Sequence, residues 1–177
     1  MKVIPKTFVC LLALLVSGSV IAQKSAGEHL DDSTTTARVK MALIEESMSD
    51  ASAINVETSK GIVQLAGFVG SEKTKRTAGE IARGVDGVQS VSNRLRVMTE
   101  KRSAGRALDD SILAAKVKLK LVESKKTSGG KINVEVRAGA VELSGFVSSY
   151  EERDAAVELV SGIDGVKDVF NSIDITQ

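Results

Sequence analysis

Two spacings alternate along the chain. Thr35, Val39 and Leu43 follow at i, i+4 and i+8, as do Leu113, Val117 and Leu121, so each set makes one core-facing stripe of a helix. Ile54-Asn55-Val56-Glu57 and Ile132-Asn133-Val134-Glu135 then alternate apolar with polar, the pattern of a half-buried strand. Gly61 and Gly139 mark turns, and Ile62 to Val69 and Ala140 to Val147 alternate again, so each pair of strands reads as a hairpin. Ser71, and Ser148-Ser149, open a second helix whose Ala78, Ile81, Ala82 and Val85 match Ala156, Leu159, Val160 and Ile163. A last strand runs from Ser90 to Val97 and from Asp168 to Ile175. Asp31-Asp32 and Asp109-Asp110 are expected just before the first helix of each set, capping its free N–H groups.

The pattern is a duplication. Every matched pair lies 78 positions apart without a gap, and 28 of 68 aligned positions are identical. Leu30-Asp31-Asp32-Ser33 returns as Leu108-Asp109-Asp110-Ser111, and Gly84-Val85-Asp86-Gly87-Val88 as Gly162-Ile163-Asp164-Gly165-Val166. The predicted class is α+β: two tandem αββαβ domains, residues 30–97 and 108–175, with a short linker at 98–107 and a tail at 23–29. Each is expected to be a three-stranded sheet with two helices on one face and solvent on the other. The short linker predicts that the two domains touch.

Composition narrows the chemistry. Lysine and arginine total 24 against 23 acidic residues, and aromatics are 3% with no Trp, which disfavours a nucleic-acid surface of basic patches and stacking rings. One Cys and one His cannot build a zinc site or a disulfide. Neither domain contains a His, since His29 falls in the tail as a solvated residue, so the chain reads as non-enzymatic and without cofactor or metal.

Residues 1–22 read as an export signal. Lys2 and Lys6 precede an apolar run from Phe8 to Val16, then small residues to a cleavage point after about Ala22. Cys10 lies inside the run rather than behind it, which argues against lipidation. Periplasm is the expected destination.

Val39-Lys40 in the first helix, Gly61-x-Val-x-Leu-x-Gly-Phe-Val on the second strand and Gly87-Val-x-x-Val-x-Asn93 on the last resemble the BON domain. The second copy repeats these marks through Val117-Lys118, Gly139 to Val147 and Gly165 to Asn171. The resemblance implies attachment to phospholipid surfaces, support of the cell envelope in osmotic stress, and no catalysis.

The first helix of the second copy is the most informative segment. Ile112, Ala115, Leu119 and Val122 form a second apolar side, with Lys116 and Lys120 along one edge and Lys118 on the other. Such a strip suits an anionic membrane interface, so Ile112, Lys116, Lys118, Leu119 and Lys120 are the candidate lipid contacts. Two alternatives are a seat for the partner domain and a chaperone-like site for envelope proteins. The first copy has Thr34, Ala37, Met41 and Ile44 there, with Arg38 but only Ala42 at the position of Lys120. Gly84 to Gly87 and Gly162 to Gly165 superficially match a phosphate-clamping GXXG loop, but they precede a strand and carry an Asp, so they read as helix ends and turns. Phe68 and Phe146 are expected in the cores, and Tyr150 near a helix start is left open.

Overall fold

A computed structural model describes residues 26–46, 51–99 and 103–176. The signal segment and Cys10 lie outside these residues. Within the first domain the order is α1 (Ala26–Glu45), β1 (Ile54–Ser59), β2 (Ile62–Val69), α2 (Glu72–Arg83), β3 (Ser90–Asn93) and β4 (Arg96–Val97). The second domain repeats it as α3 (Ala104–Glu123), β5 (Ile132–Arg137), β6 (Ala140–Val147), α4 (Tyr150–Ser161) and β7 (Asp168–Ile175). A 3₁₀ turn precedes β1 and β5. The α+β class and the two αββαβ units stand as expected.

Each hairpin is antiparallel, and its second strand is central. The last strand joins β2 or β6 in parallel after crossing over through α2 or α4. In the first domain that strand is interrupted at Arg94-Leu95 without a change of register: Leu65 pairs with Asn93, and Phe68 with Arg96. The helical stripes do what their spacing predicts. Val39 and Leu43 enter one apolar cluster with Val56, Val63 and Leu65, and Leu113, Val117 and Leu121 enter the other with Val136, Val141 and Leu143.

Three expectations need correction. The first helices begin well before their aspartates, so part of the tail and of the linker is helical. Ser103, not an aspartate, caps α3, its hydroxyl accepting from the Arg106 N–H at 3.4 Å. Asp32 and Asp110 sit inside the helices and reach across to the hairpin turns. Asp32 accepts from the N–H groups of Lys60 and Gly61 at 2.7 and 2.9 Å, and Asp110 from that of Gly139 at 3.2 Å. These turns hold Lys60, Gly61, Ala138 and Gly139 at positive φ, and a carboxylate tying their N–H groups to the helix fixes the hairpin onto it.

The second correction concerns the outer face of each sheet, which is not solvated. The two sheets pack face to face, giving four layers: helices, sheet, sheet, helices. The central strands are therefore buried on both sides, including their polar positions Gln64, Glu142 and Ser144. The third is Phe68, which leaves its own core and meets Phe170 of the other domain edge to face, at 6.4 Å between ring centres. Phe146 is only partly buried. In the GXXG-like segments Gly84 and Gly162 end helices in a right-handed conformation, and Gly87 and Gly165 alone take positive φ.

Candidate functional site

The second side of α3 is uncovered. Leu108, Ile112, Leu119 and Val122 are each more than half exposed, and Ala115 between them is exposed too. Their spacing of 4, 3, 4 and 3 residues keeps them on one face over about 21 Å of helix at 1.5 Å per residue. The strip does not seat the partner domain, because that domain occupies the opposite side of the molecule's second sheet. Leu108 is the member that periodicity missed, since the helix was expected to start after it. Ser103, followed by no Pro, was the available signal of the earlier start.

The lysines divide. Lys116 and Lys120 are exposed along the strip. The Lys116 ammonium also donates to the Asp164 carbonyl at 3.0 Å, and that of Lys120 pairs with Glu123 at 3.4 Å. Exposed contacts of this kind are weak and release readily to an anion. Lys118 departs from the expected role. Its ammonium turns inward and donates to the Ile132 carbonyl at 2.5 Å, and it is only partly exposed. Burial lowers its pKa, against the opposing pull of the Glu57 carboxylate of the first domain. The reason is position: residue 118 follows the buried Val117 and leans over the strand β5.

A groove of about 510 Å³ runs beside the first half of the strip, between α3, the hairpin turn at Ala138-Gly139 and the turn at Asp164-Gly165. Ile112 and Leu113 give it an apolar wall, and Arg106, Lys116 and Lys167 stand at its rim with Asp109 and Asp164. Its counterpart in the first domain, about 430 Å³, is walled by Thr34 and Thr35 and has Gln89 where the second has Lys167. Among the described side chains of α1 the large exposed apolar residues are Met41 and Ile44, with Thr34 where α3 has Ile112.

Among the described residues no helix is long and apolar enough to cross a membrane, and no three His, Cys, Asp or Glu side chains gather as metal ligands. Tyr150 is exposed, with the Arg153 guanidinium 5.0 Å from its ring centre. His29 falls within α1, and its side chain lies outside the described residues.

Comparison with known proteins accords with this architecture. The family model of the BON domain matches residues 31–99 and again 109–177. The osmotically-inducible protein Y of Escherichia coli K12 is 34% identical over 153 residues, covering 86% of this chain and 76% of that protein. The outer membrane lipoprotein DolP of Haemophilus influenzae is 31% identical over 90% of this chain and 85% of its own length. A 21 kDa hemolysin of Actinobacillus pleuropneumoniae is 29% identical over 87% and 79%. None of these descriptions names a catalytic activity.

Proposed function

The chain belongs to the BON-domain family, with two copies of that domain spanning its described length, and on that premise we propose that it is a non-enzymatic periplasmic protein that binds anionic phospholipid surfaces. One observation carries this reading: an uncovered apolar strip about 21 Å long on α3, edged by Lys116 and Lys120. Leu108, Ile112, Leu119 and Val122 enter the headgroup region, and the ammoniums meet lipid phosphates, each contributing about 1 kcal/mol near an anionic surface. The kinship with an osmotically inducible protein and an outer membrane lipoprotein supports a place in the envelope and a part in osmotic stress. Export through residues 1–22 without lipidation belongs to the same proposal.

The test is co-sedimentation of the chain from residue 23 on with vesicles with and without phosphatidylglycerol. Binding is expected to anionic vesicles only, to weaken between low and physiological salt, and to fall at least thirtyfold in Lys116→Glu/Lys120→Glu, since loss of the two ammoniums alone is worth ~2 kcal/mol and the new carboxylates add repulsion. Salt-insensitive binding, or none, sinks the lipid reading. Suppression of client aggregation without lipid would then point to envelope proteins as the occupants of the same strip.

A further inference from the structure

The faces by which the two sheets meet have diverged at matched positions. Gln64 corresponds to Glu142, Arg94 to Ser172 and Arg96 to Asp174, each 78 residues apart. The contacts between them cross the interface in a mirrored way. Arg96 of the first domain donates from Nε to Glu142 of the second at 2.7 Å, and Gln64 of the first donates from Nε2 to Asp174 of the second at 2.8 Å. Both therefore join position 64 or 142 of one domain to position 96 or 174 of the other. Arg94 adds an ion pair with Asp174 at 2.6 Å. Gln64 also donates to the Ser172 carbonyl and accepts from the Gly145 N–H, both at 2.8 Å.

The consequence appears on imagining like paired with like. Two first-domain faces would bring together four guanidiniums from positions 94 and 96 with no carboxylate from these three positions. Two second-domain faces would bring together four carboxylates from Glu142 and Asp174 with no cation from these three positions. Only the mixed pair balances, two guanidiniums against two carboxylates. Asn55 with Asn133 and Glu57 with Glu135 are the same in both copies and do not discriminate, and at the sheet margins Arg137 and Asp168 replace Ser59 and Ser90, adding one charge of each sign to the second face. Phe170 adds to the asymmetry, since the first domain has Ser92 at that position, so Phe68 edge to face with it and the Arg96 guanidinium 3.9 Å from its ring centre are contacts that two first-domain faces could not make. We infer that the sheet face of each domain is a recognition surface coded by charge. It accepts the face of the unlike domain and rejects a like face, so that neighbouring copies of the chain do not pair through it.

The code can be moved without touching either hydrophobic cluster, because these side chains lie on the far side of the sheets. One variant of the full chain gives the first domain the residues of the second, Gln64→Glu/Arg94→Ser/Arg96→Asp. Another gives the second domain those of the first, Glu142→Gln/Ser172→Arg/Asp174→Arg. The third carries all six changes. Small-angle scattering and calorimetry should find the native chain compact with one heat transition, each three-residue variant extended with two, and the six-residue variant compact again with one. Amide exchange within β2 and β6 verifies that the individual domains stay folded. The inference fails if either three-residue variant remains as compact as the native chain. It fails equally if the six-residue variant is no more compact than the other two.

Discussion

The two domains share a scaffold and differ on their surfaces, and the contacts that set the turns are among what was kept. Residues that turn or brace the chain are duplicated down to individual contacts. Arg38 donates to the Asp86 carbonyl in the first domain as Lys116 does to that of Asp164 in the second, and Asp32 and Asp110 brace their hairpins alike. Change is spread over the loop before β1 and over α2 as well, but on two faces it alters what the surface can meet. On the outer helix Thr34, Met41 and Ala42 stand where the second domain has Ile112, Leu119 and Lys120. On the inner sheet the differences are those that make the two faces complementary. A duplicated domain thus specialises where it meets something else, one copy toward a surface outside the molecule and both toward each other.

The largest effect should be identical in the two halves. Gly67 and Gly145 lie at φ of +123° and +120°, and a Cβ there would come within 2.1 Å of the Ala53 carbonyl oxygen or 2.3 Å of that of Lys131. The obstacle is backbone, so it cannot rotate away. Gly67→Ala and Gly145→Ala should each destabilise the domain that carries it by on the order of 3 kcal/mol, read from urea midpoints. A mild loss in one domain only would show that the scaffold is less faithfully duplicated than its geometry indicates.

A smaller effect would break the asymmetry between the helices. Thr34→Ile/Ala42→Lys gives α1 the second domain's apolar start and its second cation. Introduced into Lys116→Glu/Lys120→Glu, it should raise binding to phosphatidylglycerol vesicles about thirtyfold, since one buried branched side chain and one added ammonium each contribute about 1 kcal/mol. If the strip and its rim are sufficient, the first domain becomes the membrane-facing one. No gain would mean that the groove beside α3, with Lys167 and Leu113, is needed as well.

What could be read from the chain follows the same division. Helical stripes, hairpins and the duplication were legible because each is a local pattern repeated at fixed distance. The strip on α3 was legible for the same reason, apart from Leu108. The packing of sheet on sheet was not, because Gln64, Glu142 and Ser144 are polar and alternate as solvent-facing strand residues do. Their burial depends on partners far away in sequence, and only paired coordinates reveal that an Arg stands opposite a Glu. Lys118 was misread for a related reason: a helical wheel assigns its edge but not the Ile132 carbonyl waiting there.

The smallest prediction concerns the one position where the two inner faces differ by a single atom. Glu142 has a fully buried side chain and binds Arg96 and the Ser172 hydroxyl, whereas Gln64 is equally buried, neutral and satisfied by three hydrogen bonds. Burial raises the pKa of Glu142 above the ordinary glutamate range, outweighing the Ser172 hydroxyl and the Arg96 and Arg94 charges that favour the ionised form. A raised folded-state value means that the folded protein holds the proton more tightly than the unfolded chain. The contribution of Glu142 to stability is therefore fully present below the ordinary glutamate range and is lost as pH rises through its folded value. Glutamine does not titrate. Glu142→Gln should match the native chain near pH 4, exceed it by about 1 kcal/mol at pH 7, and flatten the pH dependence of the urea midpoint between them. Arg96 loses its partner at little cost, because its side chain is 39% exposed and keeps water. A variant less stable than native at pH 7 would mean that the ion pair outweighs the burial of its carboxylate. The predicted gain would show instead that Glu142 selects the partner face at some expense of stability, which Gln64, facing an aspartate, does not incur.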